Sequence, residues 1–155
     1  MPRLLLISPS YTHVYGRYQA SARQGVLWPP LGLASLAANL DPAHEARILD
    51  LEVEPRLDAV LETFRPRYVG IGFTTPLARA AGRVFDRVKR FDSSIHTIAG
   101  GAHPTVCPEE TARHPAVDTV IPGEGEDALN AFLRSPRRGV LPPSASAISV
   151  FRMEA

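Results

Sequence analysis

"IAGGAHPTVCPEE", residues Ile98 to Glu110, decides how the chain is to be read. A short apolar run closes on two adjacent glycines, and a histidine, a proline and a threonine follow at once. One glycine is enough to turn a corner, because it alone adopts positive φ without steric cost. A second, at the end of what reads as a buried strand, removes another Cβ and lets a neighbouring group come close to the backbone. Pro108 then stands where a helix would begin. The outline is strand, bare turn and short helix, with Cys107 as a small, partly buried residue of the loop.

The same alternation extends outward in both directions. Leu4 to Ser8, Ala46 to Leu51, Tyr68 to Phe73, Thr97 to Gly100 and Thr119 to Ile121 are short apolar runs, expected to be strands buried on both faces. Between them, helical spacing links Leu33, Leu36, Ala37 and Leu40, then Leu57, Val60, Leu61 and Phe64. The longest stripe is Leu77, Ala81, Val84, Val88 and Phe91, and a last helix is expected from about Glu126 to Leu133 with Asp127 near its positive end. Strands alternating with helices predict an α/β, flavodoxin-like (Rossmann-like) fold: a five-stranded parallel sheet of order 2-1-3-4-5 with helices on both faces. Ligands in such sheets sit beyond the carboxyl ends of the strands, at the switch point beside the first strand. Residues 1–135 form the expected domain, and 136–155, which lose periodicity and gain Pro, Ser and Ala, a flexible tail or truncated boundary.

Composition narrows the function classes. A formal net charge of +1, with scattered arginines, supplies no field for nucleic acid or an anionic membrane. No apolar run approaches the roughly 20 residues a membrane span needs, and Leu4 to Ile7 is too short for a signal-peptide core, so a cytoplasmic location is expected. Cys107 is the only cysteine, which excludes a disulfide within the chain and any cluster held by several of its own thiolates.

The loops at the expected strand ends carry the candidate site. The first, Pro9 to Pro30, is long and holds Tyr11, His13, Tyr15, Tyr18 and Trp28; loops of that length in a compact domain are usually functional or disordered. The loop after Phe73 offers the hydroxyls of Thr74 and Thr75, and the last, "IPGEGEDAL", flanks Glu124 with Gly123 and Gly125. Gly100, Gly101, Gly123 and Gly125 are expected at one rim of the sheet.

Four stretches in register, "PPLGLASLAANL", "VGIGFTT", "AGGAHPTVCPEE" and "VDTVIPGEGEDAL", resemble the N-terminal cobalamin-binding domain of cobalamin-dependent radical S-adenosylmethionine (SAM) enzymes. The resemblance runs from roughly Leu4 to Leu133. It implies cobalamin bound base-off, its dimethylbenzimidazole tail threaded into the sheet edge and its corrin ring across the strand ends. Carried onto this chain, the cofactor-binding set is Ser8, Tyr11, His13, Gly72, Phe73, Thr74, Thr75, Gly100, Gly101, His103, Pro104, Gly123, Glu124 and Gly125. Gly100 and Gly101 would form the wall past which the tail slides, with Thr74 and Thr75 bonding it from the next strand. His103 would either touch the cofactor or lock its own loop, and Glu124 would either accept from corrin amides or cap the helix.

Cobalamin proteins of the methionine synthase and mutase type place Asp-x-His-x-x-Gly after the first strand, the histidine binding cobalt from below. Here Tyr11-Thr12-His13-Val14-Tyr15-Gly16 keeps the histidine and glycine and lacks the aspartate that would orient the ring. His13 is thus the candidate lower cobalt ligand, against the pattern of the radical enzymes, which lack this motif. The radical reaction needs a three-cysteine cluster in a further domain, so the expectation is a cobalamin-binding module without activity of its own, free-standing or derived from a radical SAM methyltransferase. The alternatives are a subunit of a methyltransferase or mutase whose catalytic chain is a separate partner, and a flavodoxin-like domain for flavin mononucleotide or phosphoreceiver function. Flavin would want glycine among the hydroxyls of "SPSYTHVYG", and a receiver an aspartate where Thr74 stands.

Overall fold

The computed structural model describes residues 1–11 and 29–143. Its core is a parallel sheet built from β1 (Arg3–Ser8), β2 (Glu45–Asp50), β3 (Tyr68–Gly72), β4 (His96–Gly100), β5 (Thr119–Val120) and β6 (Gly139–Val140). The order is β2-β1-β3-β4-β5-β6, all parallel. The first five strands stand in the expected order, and a sixth extends the sheet.

Between strands run α1 (Leu31–Ala38), α2 (Leu57–Phe64), α3 (Ala78–Phe91), the short α4 (Ala102–Val106) and α5 (Pro108–Ala112), and α6 (Gly125–Arg134). Alternation along the strands sorts the core into two layers. Leu5, Ile7, Val69, Ile71, Ala99 and Val120 face α2 and α3. Leu4, Leu6, Tyr68 and Ile98 face α1 and α6, where Leu33, Leu129, Phe132 and Leu133 meet them. Leu4 to Ile7 are all but fully buried, each worth about 1.5–3 kcal/mol relative to exposure. The order-setting strand is therefore the one most deeply committed to the core.

Three details differ from the sequence expectation. In β2 only Leu49 is buried, because β2 has a neighbour on one side only. On α3 the buried stripe is Ala80, Ala81, Phe85 and Val88, while Phe91 is 43% exposed. From Leu77 the core side advances by four, four and three residues, so Phe85 rather than Val84 falls on it. The third difference is β6, in the stretch expected to be tail. Its two residues pair with β5, and Gly139 N and Leu141 N donate to Asp118 O and Val120 O at 2.8 and 2.9 Å. Arg138 adds an ion pair to Asp118 at 3.0 Å, and the same carboxylate receives the Lys89 ammonium. Among the described residues no helix is long and apolar enough to cross a membrane.

Candidate functional site

A cavity of about 380 Å³ opens at the carboxyl ends of the strands, on the face covered by α1 and α6. Its roof is Gly32, Leu33 and Leu36 of α1 with Gly125, Glu126 and Leu129 of α6. These helices are tied together away from the sheet: Ser35 Oγ donates to Glu126 Oε1 at 2.7 Å, and Asn130 bridges to Asn39 O and Asp41 N at 2.8 and 2.9 Å. The floor is the sheet itself, bare at Gly70, Gly72 and Gly100 between Leu6, Ser8 and Ile98. Gly72 and Gly100 are register partners on β3 and β4, so the bare strip crosses two adjacent strands.

The two central glycines are bare for different reasons. Gly101 has φ +93°, and a Cβ there would lie 2.9 Å from Phe73 N and 3.1 Å from Phe73 O. Its lack of a side chain is a backbone requirement of the turn that docks on β3, where His103 N donates to Phe73 O at 3.1 Å. Gly100 is under no such constraint. A Cβ there would meet only Ile121 O, at an ordinary 3.8 Å. What glycine leaves at position 100 is space in the cavity. Gly70 and Gly72 are intermediate, since their added Cβ atoms would press on the flexible ends of Leu6 and Leu33 at 2.9 and 3.2 Å.

Ten of the fourteen expected cofactor residues line this cavity: Ser8, Tyr11, Gly72, Phe73, Thr74, Gly100, Gly101, Gly123, Glu124 and Gly125. Tyr11 is held at the mouth by its backbone N–H, which donates to Glu52 Oε2 at 2.8 Å. Glu124 occupies the cap position of α6 without a side-chain capping bond, which removes the capping alternative and leaves its carboxylate at the rim. Thr75, His103 and Pro104 lie elsewhere. Thr74 lines the cavity, but the following 3-10 turn (Thr75–Leu77) carries the Thr75 hydroxyl away to His103 Nδ1, 3.2 Å distant. The buried His103 ring lies against Phe73, centroids 5.5 Å apart, and borders a second cavity beside α3. Of the two roles expected for it, it thus takes the locking of its own loop, through Thr75 and Phe73. His13, with Tyr15, Tyr18 and Trp28, lies outside the described residues.

Sequence reasoning missed Gly70 and Thr105. Gly70 carried a readable signal: "VGIG" alternates glycine at period two, which puts Gly70 and Gly72 on one face of the strand. Thr105 joins the two glycine loops, its hydroxyl donating to Gly101 O at 2.8 Å and accepting from Gly123 N at 2.9 Å. That bond holds Gly123, at φ +82°, against the turn after β4.

The family of the B12 binding domain matches residues 21–133, and the chain belongs to it. Its cofactor is cobalamin. The chain is also 36% identical over 120 residues to an uncharacterized methyltransferase of Pyrococcus horikoshii, an alignment covering 74% of this chain and 26% of that protein. The chain therefore spans about a quarter of the length of this curated relative.

Proposed function

We propose that the domain binds cobalamin base-off, with the nucleotide tail over Gly70, Gly72 and Gly100 and the corrin across the rim, and serves as the cobalamin module of a radical SAM methyltransferase. The observation that carries this reading is Gly100, whose missing side chain serves no need of the backbone and opens the floor of the cavity. The cavity, at about 380 Å³, lies at the small end of ligand sites. It suits a nucleotide tail, and a macrocycle would have to remain at the mouth.

Bound cobalamin supplies methyl-transfer chemistry through its cobalt–carbon bond. The chain's own residues bind, orient and shield. Leu6, Leu33, Ile98 and Leu129 exclude water from the floor and roof; Thr74 offers a hydroxyl beside the bare strip; Glu124 offers acceptors to amide N–H groups at the rim. The methyltransferase role draws support from the name of the Pyrococcus relative, and the four motifs in register favour the radical SAM class. With one cysteine in this sequence, the cluster of such an enzyme would be held by residues outside it.

The test is to mix the purified chain with hydroxocobalamin, desalt it and record the visible spectrum. About one corrin per chain with a base-off spectrum is expected. Passage of all corrin through the column, or retention in base-on form, would overturn the tail placement. A nitrogen-ligated spectrum lost in His13→Ala would place the lower face on that imidazole and move the domain toward the methionine synthase type.

A further inference from the structure

We propose that His103, Cys107 and Glu110 form a binding site for a zinc-class divalent cation, separate from the cobalamin cavity. A ring nitrogen of His103, the Cys107 sulfur and a Glu110 carboxylate oxygen all lie within 4.8 Å of one another. The three sit at spacing i, i+4, i+7 across the junction of α4 and α5, where Cys107 leaves helical geometry at φ −125° and ψ 58°. The turns on either side of that junction hold it in place: Cys107 N donates to His103 O at 2.8 Å, and Thr111 N to Cys107 O at 3.1 Å.

The donor set selects the ion class. Thiolate, imidazole and carboxylate together suit zinc and neighbouring borderline ions, whereas magnesium and calcium want oxygen alone. Three protein ligands leave a fourth position for water, and Glu110 is exposed, so the site is open to solvent. Tetrahedral zinc holds its ligand atoms roughly 3.3–3.6 Å apart, from its bond lengths to sulfur, nitrogen and oxygen. Closing from 4.8 Å is thus a matter of about an ångström, within reach of side-chain rotation at half-buried Cys107 and exposed Glu110. His103, buried against Phe73 with Thr75 on its Nδ1, is the fixed member. Neither the Cys107 sulfur nor the Glu110 carboxylate has another polar partner among the described residues. The site is independent of the cobalamin reading, because none of its residues lines the glycine-floored cavity, and His103 and Glu110 border the cavity beside α3 instead.

The test uses the full 155-residue chain free of corrin, titrated with zinc against a chromogenic chelator, and separately with cobalt(II) chloride. One zinc per chain is expected. Cobalt(II) should give a thiolate charge-transfer band and the intense visible bands of a tetrahedral centre. Cys107→Ser should abolish that band, and Cys107→Ser and Glu110→Gln should each weaken zinc binding by about tenfold or more. His114→Ala, in the adjoining cavity but outside the triad, should bind as the parent does. Each variant's metal-free melting is compared with the parent's, and Cys107→Ala replaces the serine variant if that does not fold. No zinc held against the chelator, or zinc binding unchanged on removal of the Cys107 sulfur, would overturn the site.

Discussion

Replacing Gly100 with valine separates the ligand reading from a purely structural one, because the neighbouring glycine provides the contrast. At Gly100 a Cβ is in ordinary contact with Ile121 O and nothing closer, and the residue lies in β4, where β-branched side chains are favoured. The apo domain should melt at or slightly above the parent temperature, since removing a glycine at a compatible position stabilises by about 0.4–1 kcal/mol. Binding should suffer in proportion to the volume taken from the floor. Overpacking a fitted site costs about 1–3 kcal/mol, which is roughly a 5- to 150-fold weaker cobalamin affinity. Gly101→Ala should behave in the opposite way. Its φ of +93° costs a side-chain-bearing residue about 1–2 kcal/mol, and the contact with the Phe73 backbone adds to that. The melting temperature should drop by about 2–4 °C for each kcal/mol lost. Absorbance titration with hydroxocobalamin and thermal unfolding of the apo chain supply the two axes. If Gly100→Val binds cobalamin as tightly as the parent while melting normally, the tail does not lie over β4 and the reasoning fails.

Thr105→Val removes both hydroxyl bonds that join the loops after β4 and β5; a loss of about 1 kcal/mol per bond is an upper figure for exposed pairs, and weaker cobalamin binding at nearly unchanged far-UV circular dichroism is expected. Stability should fall in acid in two stages. Burial against Tyr68 and Phe132 lowers the His96 pKa from its ordinary 6.5, with Asp118 pulling the other way, so the unfolded chain takes up the proton first and stability declines as pH falls below 6.5 toward the folded value. Asp118 is raised by burial but held below its ordinary 3.8 by the bonds from Lys89 and Thr97, so the stability it contributes is present above 3.8 and lost as pH drops through its lower folded value. Melting temperatures from pH 8 to pH 3 check both stages, and His96→Phe should flatten the upper one; an unchanged upper slope would remove His96 from the account. Anaerobic iron–sulfur reconstitution of the isolated chain should yield neither a cluster nor 5'-deoxyadenosine from S-adenosylmethionine, as expected with one cysteine.

What the sequence discloses depends on whether a property is periodic or conformational. The strand order follows from apolar runs alternating with helical stripes, and so does the placement of Gly100, Gly101, Gly123 and Gly125 at one rim. Period two also carries Gly70, which it places on the same strand face as Gly72. The division of labour in the glycine pair is of another kind. Adjacent identical residues differ here only in φ and in what a Cβ would strike, and neither is encoded in residue type. Thr74 and Thr75 present the same difficulty: one residue of 3-10 turn sends the first hydroxyl to the cavity and the second to His103. β6 was invisible because two residues show no periodicity, and its place is set by the free edge of β5 and by the charge on Asp118. Those contacts put Gly139 and Val140 inside the sheet. The folded unit we propose therefore runs through Leu141, which packs with Phe132 and Leu133 beneath α6. Ending the chain at Ser135 would strip the Arg138 partner from the buried Asp118 carboxylate while leaving Lys89, and would uncover the edge of β5. Such a truncation should melt lower than the full chain and titrate cobalamin no differently, because no residue beyond Leu129 lines the cavity.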